Sequence, residues 1–238
     1  MKPTQLELLA PARTADIAIE AVDCGADAVY MGAPAFGARA AAGNSVDDIA
    51  RAAAHAHRFG ARIYVTLNTI LYDDETARAE ALARELYDAG ADAFIVQDMA
   101  YLRMSLPPIA LHASTQCDTR TPGRAAFLEK AGFSQIVLAR ELTLEEIRAV
   151  RAATSVPLEA FVHGALCVSY SGDCHAGFMA TGRSANRGEC PQMCRLPYRL
   201  CDRDGHELAP ERHYLSLRDM NRIDLLGDMA DAGVSSFK

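Results

Sequence analysis

A phrase recurs along this sequence and limits the folds open to it. Ala21-Val22-Asp23-Cys24-Gly25-Ala26-Asp27-Ala28-Val29-Tyr30 has the same plan as Leu86-Tyr87-Asp88-Ala89-Gly90-Ala91-Asp92-Ala93-Phe94-Ile95, and weaker copies centre on Gly60, Gly132 and Gly233. In each, an amphipathic helix ends at a glycine able to take the left-handed conformation just past a helix, and an apolar strand follows. The spacing of these glycines is the pace of βα units, apart from one long gap before Gly233. Eight strands are expected: Leu6–Leu9, Ala28–Met31, Arg62–Leu67, Ala93–Val96, Ile109–Ala113, Gln135–Leu138, Leu158–Val162 and a last one opening at Ser235. Most are continuously apolar, as strands covered on both faces are. Helices are expected between them, for example over Asp74–Ala89 and over Leu142–Ala153, the second introduced by the capping-box text Thr143-Leu-Glu-Glu.

Eight such steps predict a parallel (β/α)8 TIM-like barrel spanning residues 1–238 as one catalytic domain, with an open doubly wound sheet as the alternative. Two departures stand out. Residues from Gly164 to about His213 form an insertion after strand seven, far longer than the usual two to six residues. The chain also stops at Phe237-Lys238, inside the eighth strand, which leads to the expectation of a longer parent protein with further C-terminal segments.

Composition narrows the function. A formal net charge of -7 argues against a surface that binds nucleic acid all over, though not against a local basic patch. No apolar run reaches the 18 or more residues of a membrane span, and Met1–Gln5 leads straight into a strand without a leader. The cytoplasm is the expected location. Cysteines there are reduced, so five of the seven falling between Cys167 and Cys201 ask for another explanation. Lysine occurs only at positions 2, 130 and 238, and arginine carries nearly all the positive charge.

Catalytic groups of a parallel barrel sit at the C-terminal ends of its strands. The sequence puts Asn68 after strand three, Gln97 and Asp98 after four, His112, Ser114 and Gln116 near the end of five, Arg140 and Glu141 after six, and Glu159 and His163 about seven. Strand ends are polar wherever they meet water, so each residue alone says little. As a set they describe a hydrogen-bonding pocket. A Schiff-base lysine would have to be Lys238, and neither a Walker motif nor a Gly-x-Gly-x-x-Gly follows a strand.

The insertion opens on Glu159-Ala-Phe-Val-His-Gly-Ala-Leu-Cys167-Val-Ser-Tyr-Ser-Gly-Asp-Cys174 and continues through Asn186-Arg-Gly-Glu-Cys190-Pro-Gln-Met-Cys194-Arg-Leu-Pro-Tyr198. Four thiolates from one loop suit tetrahedral zinc or an iron–sulfur cluster, and spacing alone leaves the two level. Free thiols in a loop are the plainer reading. Cys24 and Cys117 are expected in the core or a pocket wall, and Cys201 is spare.

Both segments resemble signatures of the collagenase-like peptidase family U32, and the opening Leu-Leu-Ala-Pro-Ala and closing Ser-Ser-Phe-Lys are similar to that family's ends. The resemblance implies a barrel domain and either collagenase-type activity or oxygen-independent hydroxylation of transfer RNA, ribosomal RNA or the ubiquinone ring. It also implies a 4Fe–4S cluster and prephenate as a candidate hydroxyl source. Carried over by position, the cluster ligands are Cys167, Cys174 and Cys190. Some members take the fourth from further downstream; here Cys194 is chosen.

Three functions follow. An RNA-base hydroxylase would use Glu159, His163, Asn68, His112 and Arg140 for chemistry and Gln97, Gln116, Arg187, Arg195 and Tyr198 for the RNA. The loop is locally basic, with Arg183, Arg187, Arg195, Arg199 and Arg203 against Glu189 and Asp202. A solvated loop whose arginines pair with carboxylates explains the same charges. A peptidase would use Cys167 with His163 as base and Glu159 as orienter, leaving the other loop cysteines without a role; no His-Glu-x-x-His is present for a zinc hydrolase. A metal-stapled binding module explains the loop but not the pocket. Hydroxylation is the preferred reading. RNA, quinone and peptide all fit a polar mouth, and the oligomeric state leaves no mark on the sequence.

Overall fold

In the computed structural model, which describes residues 5–38 and 43–238, eight parallel strands close into a barrel. Residues Met1–Thr4, on which the absence of a leader was read, lie outside the described residues. The strands β1 (Glu7–Ala12), β2 (Ala28–Gly32), β3 (Arg62–Leu67), β4 (Ala93–Val96), β5 (Ala110–Ala113), β6 (Gln135–Val137) and β7 (Leu158–Ala160) run round in chain order. Four short strands then belong to the insertion: β8 (His163–Gly164), β9 (Tyr198–Cys201), β10 (Glu207–Arg212) and β11 (Met220–Asn221). The eighth barrel position is filled by β12 (Val234–Phe237), which pairs with β7 on one side and with β1 on the other.

Helices α1 (Ala15–Asp23), α2 (Val46–Arg58), α3 (Thr76–Asp88), α4 (Pro122–Ala131) and α5 (Leu144–Ala153) pack outside the barrel. Two one-turn helices, α6 (Ala176–Thr181) and α7 (Leu226–Asp231), come later. The expected cap of α5 is present: Thr143 Oγ accepts from the Glu146 amide at 3.3 Å, and the Glu146 carboxylate accepts from the Thr143 amide at 2.8 Å. One expected step is missing. Between β4 and β5 runs only a single 3-10 turn, Met99–Leu102, because Pro107 and Pro108 leave no room for a continuous helix before β5. Buried Tyr101 covers the barrel there instead.

The main core lies between helices and strands. On α2 it takes Ile49, Ala52, Ala53 and Ala56, the 3.6-residue stripe that the sequence shows. The barrel interior is different. Leu9, Ala28, Tyr64, Ala93 and Ile95 form a small apolar cluster there, and two carboxylates lie among them. Glu7 accepts from Arg62 at 2.5 Å, Tyr64 at 2.6 Å and Ser236 at 2.6 Å. Glu159, with no exposed surface, accepts from Gln135 at 2.8 Å and Lys238 at 2.7 Å. Buried carboxylates persist only when paired and hydrogen-bonded in this way. Among the described residues no helix is long and apolar enough to cross a membrane.

The repeated glycines do what the phrase predicts. Gly25, Gly60, Gly90, Gly132 and Gly233 all have φ between +73° and +114°. At Gly132 a Cβ would meet nothing nearer than Leu102 at 3.8 Å. Gly132→Ala should therefore cost about 1–2 kcal/mol through backbone strain alone, read as a lower urea midpoint with an unchanged slope; an unshifted midpoint would contradict the cap.

Candidate active site at the barrel mouth

The insertion leaves the barrel and returns to it through a short stem. His163 and Gly164 of β8 pair antiparallel with Asn221 and Met220 of β11, and the Arg222 amide donates to the Val162 carbonyl at 2.8 Å. The stem carries the excursion on to Met220, past the expected end near His213, because a two-residue ladder leaves no periodic pattern to read. Arg222 then ties the stem to the loop after β6, donating to the carbonyls of Arg140 at 3.0 Å and Leu142 at 2.9 Å.

Between residues 165 and 219 only Gly177 is buried. This segment has no hydrophobic core of its own, so other contacts hold it on the mouth. A Cβ on Gly172 would lie 2.0 Å from the Gln116 carbonyl oxygen, which makes glycine obligatory where the loop sits on the end of β5. Asn186 donates to the Gly172 carbonyl at 3.0 Å and accepts at its own carbonyl from the Ile70 amide at 3.0 Å. Arg187 binds both oxygens of Glu75 at 2.6 and 2.7 Å, reaches the Ile70 carbonyl at 2.6 Å, and lies 4.2 Å from the Tyr72 ring centroid. That guanidinium holds the Glu75 carboxyl down at about 2. Arg195 donates to Ser216 at 3.0 Å and to the carbonyls of Leu217 at 3.2 Å and Leu166 at 2.9 Å. Tyr198 donates to the Met193 carbonyl at 2.8 Å. All three, expected as RNA contacts, are thus engaged in shaping the loop, and Arg187 does pair with a carboxylate.

Four thiols share one electrostatic neighbourhood. Burial pushes the Cys167 thiol above its ordinary value, the Arg140 guanidinium pulls it back, and Cys194, Cys190 and Cys174 raise it further. Cys190 is set by its neighbour Pro191, whose ring packs so closely on α6 that a Cβ at Gly177 would come within 2.6 Å. Among the described residues, the ligand-type groups whose donor atoms all lie within 4.8 Å of one another are Asp202, Asp204 and His206, on the exposed turn between β9 and β10. No three of the loop sulfurs approach that closely. Tetrahedral zinc with bonds of about 2.3 Å would hold its sulfurs about 3.8 Å apart. Cys201 lies apart on β9, Cys117 is a core thiol pushed up to about 12 by burial, and Cys24, expected inside, is exposed at the end of α1.

Beneath the loop, Asn68 accepts from the Ala38 amide at 2.9 Å and donates to Ser114 Oγ at 3.1 Å. Gln97 donates to the Gln116 carbonyl at 3.2 Å, and its own buried side-chain oxygen has no partner. Arg140 lies 3.7 Å from the Phe161 ring centroid and donates to the Ala165 carbonyl. Asn68, Gln97, Gln116, Arg140 and Cys167 therefore belong to one mouth. Asp98 is structural, accepting from the amides of Leu71 at 2.9 Å and Ala100 at 2.8 Å.

Other expected residues lie elsewhere. His112 is inside the barrel, edge-on to Tyr64 at 4.8 Å, and burial pushes it down to about 4, so it is neutral. Its Nδ1 is buried without a partner. Glu159 faces Lys238 in the interior, while His163 is exposed on the stem and makes no hydrogen bond to Cys167. The His163–Cys167–Glu159 arrangement of a cysteine peptidase is not assembled. The 3.9 Å approach of Lys238 to the Tyr30 ring and its ion pair with Glu159 make it a structural cation and not a Schiff-base lysine.

The sequence profile of peptidase family U32 matches residues 13–238. The chain belongs to peptidase family U32. Along 98% of its length this U32 chain is 58% identical to the Escherichia coli 23S rRNA 5-hydroxycytidine C2501 synthase, of which it covers 36%. It is 34% identical, over 98% of its length, to tRNA hydroxylation protein P1 of Bacillus subtilis, covering 57% of that protein. It is also 31% identical, over its whole length, to the collagenase of Porphyromonas gingivalis, covering 61%. The U32 chain thus spans between about a third and three fifths of these relatives.

The barrel interior gives a pH test. Folded His112 binds its proton only near pH 4, whereas an unfolded histidine does so near 6.5. The unfolded state therefore takes up the proton first, and stability is lost as pH falls from about 6.5 to 4, by up to about 3 kcal/mol. Urea midpoints measured across that range should fall in the wild type and fall less in His112→Phe; parallel curves would exclude the assignment.

Proposed function

We propose that this U32 chain is the catalytic barrel of an enzyme that hydroxylates a cytosine base in ribosomal RNA, with Cys167, Cys174, Cys190 and Cys194 holding a 4Fe–4S cluster over the mouth. The observation that carries the reading is the high identity, along nearly the whole chain, to a protein named for making 5-hydroxycytidine in 23S rRNA. The donor set supports the cluster, and so does the near-absence of buried residues in the insertion: a segment without a core needs a staple, and four soft thiolates supply one.

Such a cluster, when bound, supplies redox or Lewis-acid chemistry at the mouth. The protein's own groups have simpler tasks. Arg140 places a positive charge beside Cys167. The base enters unpaired, because a stacked base does not reach the end of a barrel. Gln97 Oε1, a buried acceptor with no partner, suits the exocyclic amino group that distinguishes cytosine, and the Asn68–Ser114 pair offers further polar contacts. Converting C–H to C–OH adds an oxygen atom and removes two electrons from the base, so a co-substrate that gives the hydroxyl and takes the two electrons also enters; prephenate is the candidate that the family resemblance supplies. An rRNA substrate puts the protein in the cytoplasm.

The test uses the full-length protein in cells lacking the rRNA 5-hydroxycytidine synthase, with nucleoside mass spectrometry of the rRNA. The wild type should restore 5-hydroxycytidine, and Cys174→Ala should lower it at least tenfold. Iron-loaded protein that leaves RNA unmodified yet cleaves denatured collagen would replace this reading with the peptidase.

Iron removal gives an independent measurement. Chelation under reducing conditions should make residues 165–219 sensitive to protease while the barrel strands stay protected. An insertion equally resistant with and without iron would mean that the cysteines do not staple it.

A further inference from the structure

Beside the mouth lies a second concavity that the chemistry above does not use. A cleft of about 490 Å³ opens between the first turn of α4 and the Gly172–Asp173 bend of the insertion, with Arg120 and Arg124 in its wall. The two arginines are held differently. Arg120 is bound in plane by both oxygens of Asp118 at 2.6 Å, and its guanidinium lies 3.7 Å from the ring centroid of Tyr170. Tyr170 as a residue is still 55% exposed. Arg124 donates through Nε to the Cys117 carbonyl at 3.1 Å, which fixes its direction, and it has no carboxylate partner among the described residues. The start of α4, where Thr121 caps the Arg124 amide, adds the partial positive charge of the helix dipole. Asp118 is balanced by Arg120, and the cleft's other acid, Asp173, faces His175 at 3.5 Å.

An oriented guanidinium with no acid on it, sharing a cleft wall with Arg120 and the exposed Tyr170 on which Arg120 stacks, matches what single-stranded nucleic acid asks of a protein: a cation for phosphate and a flat face for a base. In a chain of net charge -7, such a place is chemically distinct from the surrounding surface. We propose that this cleft is a nucleotide subsite, taking the phosphate of a residue that flanks the modified one on Arg124 and its base on the Tyr170 face. The inference rests on the RNA reading and deepens it: the substrate is a single-stranded segment, bound by at least two nucleotides.

The experiment uses full-length, iron-loaded protein, a single-stranded RNA oligonucleotide spanning the target, and fluorescence anisotropy at several salt concentrations. Arg124→Gln should weaken binding about tenfold and reduce the slope of log affinity against log salt by roughly 0.7, the loss of one phosphate contact to a single strand. Tyr170→Ala should weaken binding about tenfold with the slope unchanged, and Tyr170→Phe should bind as the wild type does. In turnover both losses should appear in KM and leave kcat near its original value. Arg58→Gln, at the far end of α2 on the opposite face of the barrel, controls for net charge and should change nothing. If Arg124→Gln and Tyr170→Ala bind as the wild type does while the wild type modifies RNA, the subsite is wrong and the hydroxylase stands. Weakened binding accompanied by loss of iron would make these residues structural and also overturn the subsite. Should the wild type neither bind nor modify RNA, the function itself fails and the subsite falls with it.

Discussion

Two carboxylates sealed inside a closed parallel barrel set the terms for everything above them. Glu159 has no exposed surface and Glu7 very little, so each is held by its own cation and hydrogen-bond donors. The closing strand supplies a partner to each: Ser236 to Glu7 and Lys238 to Glu159. Removing one partner from a buried pair typically costs about 3–5 kcal/mol, so the register of β12 against β1 and β7 is strongly specified. Register decides more than stability. It makes β7 and β12 neighbours, so the chain can leave the barrel after one and re-enter before the other, closing its excursion with the two-residue stem of β8 and β11.

Once the stem is set, the insertion has to lie across the mouth, and it does so with almost nothing buried. Its hold on the barrel is made of directional contacts: the Gly172 approach to Gln116, the Arg187–Glu75 fork, and arginine planes over Tyr72, Tyr170 and Phe161. This explains the choice of arginine over lysine. A planar guanidinium can lie flat on a ring while forking to a carboxylate, whereas an ammonium is a point charge without a plane. Under the proposed function, the gathered thiols would hold a soft-metal centre that organises a segment apolar burial does not. Backbone strain gathers here too. The non-glycine residues with positive φ among those described, Phe36, Asp118 and Gln192, lie in loops on this face, Gln192 between two of the cysteines.

The architecture was legible in the sequence to within a residue or two at most strand ends. Arg62–Leu67 and Ala93–Val96 are strands with the expected bounds, and the Thr143 box opens its helix where predicted. The absence of a β4–β5 helix follows from Pro107-Pro108, a signal local to the sequence. The site was readable only in part. The crowding of cysteines pointed to a centre, and the polar strand ends pointed to a pocket. The carboxylate that pairs with Arg187 is 112 residues away in the chain, and nothing in the local text of Arg120 and Arg124 resembles a motif.

What the amino-acid sequence determined by itself is whatever acts within one helix turn or one strand: the alternation of α and β, the left-handed glycines that end each helix, and the gathering of thiols into one loop. Tertiary structure alone decided which polar residues are buried together. Glu159 and His163 are four positions apart and looked like partners, yet one points into the barrel and the other sits on an exposed stem. The cation that neutralises Glu159 arrives from Lys238, on the last strand to close. Local propensities are set by neighbours in the chain, whereas such pairings are set by barrel closure, which brings distant strands into register at once.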